Sequence, residues 1–149
     1  RRGALGQRGV ERRDSLRGSR LTGPFRSWNG VEPHALFPGV GLKAIAGGQV
    51  FLGHVTYAPG TVVARHSHPE SEQAMWIVEG SMVMTVGDET RELGPGDVVV
   101  VNRGIEHELV SEGGVTFVEA MAPVPRDHIP NAERDLVLGA LGDSLHVDH

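Results

Sequence analysis

Two histidines one residue apart, His66 and His68, open the part of the chain best suited to chemistry. Residues two apart on an extended strand point the same way. If 64–68 is extended, both imidazoles face one point in space, a suitable offset for holding one divalent transition ion. Pro69 cannot donate a ladder hydrogen bond and so ends or turns that strand. Further ligands are available at Glu72, Gln73 and His107, the last after the turn Asn102-Arg103-Gly104. Glu72 and Gln73 are adjacent, so on a strand they face opposite ways and only one can join the site. A carboxylate is the commoner ligand for a hard ion. The apolar pattern does not arbitrate: Met75 and Ile77 keep step with Gln73, while Ala74, Trp76 and Val78 keep step with Glu72. Spacing alone leaves that choice open.

The elements that must position these residues read as strands. Apolar stretches at 40–45, 50–57, 61–68, 73–79, 81–86, 90–93, 98–101, 107–110 and 115–121 are separated by Gly, Pro or Asp turns. In 50–57, Phe51, Gly53, Val55 and Tyr57 share one face, and Leu52, His54 and Thr56 share the other. The run Val98-Val99-Val100-Val101 is continuously apolar, which predicts a strand buried on both faces. Short strands with frequent turns predict an all-β sandwich or barrel. After residue 126 the pattern changes. Asn131 can cap a short helix over 131–141, with Glu133 and Asp135 in its first turn and Gly142 at its stop.

Gly60, His66, His68, Gln73 and Gly80 match the first motif of the cupin superfamily, G-x5-H-x-H followed by Glu or Gln and a later Gly. Gly96, Gly104 and His107 match the second, with Asn102 where the family usually has Pro. The chain resembles that family over roughly 31–126. The resemblance implies a double-stranded β-helix, or jelly roll, and a single divalent metal (Ni, Zn, Mn or Fe) held by His66, His68, Gln73 and His107. It resolves the choice above in favour of Gln73. It also implies a homodimer.

The stretch from Phe117 to Asp127 resembles a segment of the small cupins that linearise unsaturated uronates. There Glu119 takes the place of an Asp, Met121 that of a Phe, and Arg126 that of an Arg, with Val124 as an extra residue. Glu119 and Met121 share a face and can look into the barrel. The expected function is therefore that of a metal-dependent enzyme acting on a small molecule. The metal is a Lewis acid for ring opening or isomerisation of a small hydroxy- or keto-sugar acid, Glu119 shuttles the proton, and Arg126 grips a carboxylate. His54 is a further candidate acid or base, with a structural histidine as the alternative. An Fe(II) dioxygenase acting on a diketone or enediol, and a non-catalytic small-molecule or metal binder, are the competing readings.

Composition bounds the rest. A chain of 149 residues is expected to form one main domain. The absence of cysteine excludes disulfides and thiolate zinc sites, and fits a cytoplasmic location. No apolar run approaches the ~18 residues of a membrane span. The formal charge of −5 is unevenly spread. Eight arginines against Glu11 and Asp14 make residues 1–26 a basic leader of +6, expected to be disordered, which leaves −11 for the remainder. A barrel that acidic, spanning 27–128 and followed by the helix and tail of 129–149, is expected to bind no nucleic acid.

Overall fold

The structure, a computed structural model, describes residues 27–30 and 32–125. The chain divides after Gly30 into two units, and the second carries every strand found among the described residues. The expected leader over 1–26, Arg126, the expected helix over 131–141 and the tail lie outside the described residues.

Among the described residues ten strands follow one another: β1 (His34–Phe37), β2 (Val40–Ala46), β3 (Phe51–Tyr57), β4 (Thr61–His66), β5 (Glu72–Gly80), β6 (Met82–Val86), β7 (Glu89–Leu93), β8 (Val98–Val101), β9 (His107–Ser111) and β10 (Val115–Ala122). They form a six-stranded sheet in the order β1-β2-β3-β10-β5-β8 and a four-stranded sheet in the order β4-β9-β6-β7. All pairings are antiparallel. The expected all-β jelly roll is the fold observed, with β1 added at one edge.

Alternation decides the faces. Phe51, Gly53, Val55 and Tyr57 of β3 are buried, as are Val115, Phe117, Glu119 and Met121 of β10. They meet Met82 and Met84 of β6 and Leu109 of β9 in one core drawn from both sheets. Fully burying a side chain such as Phe51 or Ile77 is worth roughly 1.5–3 kcal/mol, and this face supplies much of the driving force for closure. Between β5 and β6 the chain turns at Gly80, whose φ is +77°. A Cβ there would overlap the backbone of Gly114, so the position accepts only glycine.

One expectation fails on the six-stranded sheet. β8 is not buried on both faces: Val98 is 70% exposed and Val100 57%, while Val101 is buried. The reason is that only one face of this sheet meets the core: Val101 faces inward, and no element among the described residues covers the outer face that carries Val98 and Val100. Trp76 stands beside Val98 in register on that same outer face and is 52% exposed.

Candidate metal centre

The site is assembled from the small sheet, a loop and the large sheet. His66 ends β4 and His107 begins β9, and the two are register partners. Strict alternation from the buried Thr61 and Val63 would turn Arg65 inward and His66 outward. A register shift between Val63 and His66 prevents this: Ala64 and Arg65 are both exposed, and His66 turns in. This is the effect of a β-bulge, one extra residue that resets the phase of a strand. Arg65, on the outside, pairs with Glu106 at 3.1 Å and donates to the Gly87 carbonyl at 3.1 Å.

His68 lies past the end of β4, not on it as the spacing suggested. Its backbone carbonyl accepts from Gly104 N–H at 2.9 Å, tying the loop to the turn that precedes His107. Farther along the same loop, Ser71 Oγ donates to the Pro123 carbonyl at 2.8 Å and fixes it to the end of β10. The three imidazoles therefore converge. Their ring centroids are 5.1 Å (His66–His68), 4.2 Å (His66–His107) and 5.2 Å (His68–His107) apart. One nitrogen from each lies within 4.8 Å of the others. His68 and His107 are buried and His66 is half-buried.

The donor chemistry suits a divalent transition ion. His66 Nδ1 is 2.8 Å from the Ala64 carbonyl, and His107 Nδ1 is 3.1 Å from the Ile105 carbonyl. A carbonyl only accepts, so each Nδ1 carries the proton and each Nε2 keeps its lone pair. This is how the outer partners of a metal-binding histidine select its tautomer.

Gln73 and Glu72 separate as adjacent strand residues must. Gln73 is buried, while Glu72 is exposed. Gln73 Nε2 donates to Glu119 Oε2 at 2.6 Å, a contact between neighbouring strands that the sequence did not reveal. Gln73 Oε1 is buried without a hydrogen-bond partner. An orphaned buried carbonyl oxygen is uncommon and calls for an explanation. A cation is one, since the oxygen end of a carboxamide is the end that binds cations.

Glu119 is buried on the inward face of β10. Burial pushes its carboxyl up from 4.5 to about 7, and the hydrogen bond from Gln73 opposes that rise. Opposite it in register stands Gly53. A Cβ on Gly53 would lie 3.2 Å from Glu119 Cγ, 3.0 Å from Phe51 Cε1 and 3.1 Å from Leu42 Cδ1. The missing side chain makes room for the carboxylate. An isolated glycine inside a strand is the sequence signal for such a close approach. Tyr57, on the same face of β3, packs edge-on against Phe117 with ring centroids 5.3 Å apart. Burial, reinforced by the charge of Glu119, drives its phenol pKa up, so it stays neutral. His54 points the other way from Gly53 and Tyr57, beside Val118 and Lys43 on the outer face of the sheet. The fold thus brings His66, His68 and His107 together and joins Gln73 to Glu119, and it leaves His54 apart from both groups.

Residues 53–120 match the cupin-domain family (Cupin_2), a span that includes all three histidines, Gln73 and Glu119. The barrel of this chain is a cupin domain. Among its relatives is the tetracenomycin polyketide synthase protein TcmJ of Streptomyces glaucescens, 38% identical over 80 residues, which are 50% of this chain and 54% of that protein. Germin-like protein 3-8 of Oryza sativa subsp. japonica is 34% identical over 84 residues, 53% of this chain and 35% of the relative. The chain thus spans about half or less of the length of these curated relatives. Among solved structures, KdgF from Halomonas sp. superposes with a TM-score of 0.64 at 24% identity, covering 68% of this chain and 94% of that one. An RmlC-like cupin from Shewanella frigidimarina gives 0.67 at 18% identity, covering 74% and 99%. These two likenesses establish the fold. No helix among the described residues is long and apolar enough to cross a membrane.

Proposed function

We propose that this cupin is a metal-dependent enzyme that moves a proton on a small carbonyl or hydroxyl compound, in ring opening or keto–enol isomerisation. His66, His68, His107 and Gln73 would hold the ion. When bound, a divalent transition ion supplies a Lewis acid that polarises a substrate oxygen. The observation that carries the reading is the buried Glu119, joined by a 2.6 Å hydrogen bond to Gln73 and displaced to about 7. A carboxyl poised there can both take and give a proton at neutral pH. A base so placed typically contributes ~10²–10⁴-fold to rate. The apolar side chains around it, among them Phe51, Phe117 and Met121, keep water out.

The substrate class has two readings. A small hydroxy- or keto-sugar acid follows from the resemblance of residues 117–127, and it needs Arg126 to receive the carboxylate. No lysine or arginine is buried among the described residues, and the resemblance gives that role to Arg126. The second reading takes an enolisable polyketide as substrate. It is supported by the 38% identity to a protein named for a polyketide synthase and by an interior rich in Phe and Met. Both use the same proton transfer.

The test is Glu119→Gln assayed at saturating metal on an unsaturated uronate and on a β-diketone. The expected result is a loss of at least ~10²-fold on the true substrate. Turnover equal to the parent would remove Glu119 from the chemistry. Oxygen uptake during turnover would move the assignment to redox chemistry.

A further inference from the structure

Gln73 carries two chemically opposite ends on one flat group. Only the carbonyl end attracts a cation, and the amino end repels it. Nothing in the shape of a carboxamide decides which end faces a site, because a half-turn about the last side-chain bond exchanges oxygen and nitrogen. A neighbour must decide. Here the neighbour is Glu119, whose Oε2 lies 2.6 Å from Gln73 Nε2. An ionised carboxylate has acceptors and no donor, so only the amino end of Gln73 can satisfy it. The flipped amide would set two oxygens against each other in a buried setting. The consequence is visible at the other end of the group, where Oε1 is left buried and unpartnered.

Building on the reading of Gln73 as a ligand, we infer that Glu119 is also a positioning residue: it fixes the Gln73 amide with its oxygen turned to the metal. Glu119 is held for this task by the gap at Gly53, where an added Cβ would come within 3.2 Å of its Cγ. Substrate has no part in this arrangement, so metal affinity reports on it without any assay of turnover. Supporting partners of metal ligands typically contribute 10–100-fold to affinity.

The experiment is a double-mutant cycle on metal affinity. The metal-free protein, Gln73→Ala, Glu119→Ala and the double variant are titrated with Ni²⁺ against a chromophoric chelator at pH 8. Glu119→Met, which fills the buried volume without a polar group, is run beside Glu119→Ala, and circular dichroism checks that each variant folds. If Glu119 acts through the amide, Glu119→Ala and Glu119→Met each weaken Ni²⁺ binding ~10–100-fold. The loss disappears when Gln73 is already alanine, because residues that act as one unit are not additive. Parent-like affinity in both Glu119 variants would overturn the inference. So would a loss that persists in full in the Gln73→Ala background, which would mark Glu119 as a through-space charge only. Loss of turnover with unchanged affinity would overturn it too, while leaving the proton-transfer reading intact.

Discussion

Removing the carboxyl of Glu119 should change how stability depends on pH, and the sign follows from its burial. The group titrates at about 7 in the folded chain against 4.5 for the exposed group. Between those values the folded state binds the proton more tightly than the unfolded state does. Stability from this group is therefore full below pH 4.5 and is lost as pH rises through about 7. At 1.36 kcal/mol for each pH unit of displacement, the loss is about 3 kcal/mol. For a folded domain of this size that corresponds to roughly 10 °C in Tm. Glu119→Gln has no such titration. The assay is thermal unfolding of both metal-stripped proteins in matched buffers from pH 4.5 to 8. Contributions common to the two proteins cancel in the difference between the two curves. Parent minus variant should fall by about 3 kcal/mol from one end of that range to the other. A flat difference would refute the claim that burial displaces this carboxyl.

Further outcomes follow from the same geometry. Gly53→Ala should overpack the face shared by Phe51, Leu42 and Glu119 and cost about 1–3 kcal/mol in a denaturant titration. Adding Zn²⁺ or Ni²⁺ at 100 times its Kd should stabilise the parent by about 2.7 kcal/mol. His107→Ala, which removes one member of the imidazole cluster, should lose most of that gain in a thermal-shift assay. On β8, Val98→Thr should change stability by no more than about 0.5 kcal/mol, whereas Val101→Ala should cost about 2 kcal/mol, because only Val101 is buried. Equal effects at the two positions, read by chemical denaturation, would contradict the outward placement of Val98.

Much of the site was legible in residue type and spacing, because the demands of a metal on its ligands are local and few. Two histidines one residue apart, with a third after a glycine turn, marked the imidazoles that the fold brings together. Alternation along 50–57 and 115–121 placed Gly53, Tyr57, Glu119 and Met121 on shared faces, and the buried strand faces follow it. Glycine and proline turns delimited most of the strands, since few other residues accept those backbone angles.

Only the tertiary structure decided the rest, and each case turns on a contact between segments distant in the chain. Strand periodicity counted from Val63 would have turned His66 outward, and the register shift against β9 brings it in. The exposure of Val98 and Trp76 depends on which face of the large sheet meets the core, which four valines in a row cannot report. The bond between Gln73 and Glu119 joins residues 46 positions apart. It exists because β5 and β10 pair in a register that sets Met121 against Gln73 and Met75 against Glu119. Residue type and spacing marked the histidines as candidate ligands, while the pairing of remote strands determined how they converge and how the carboxylate and the amide meet.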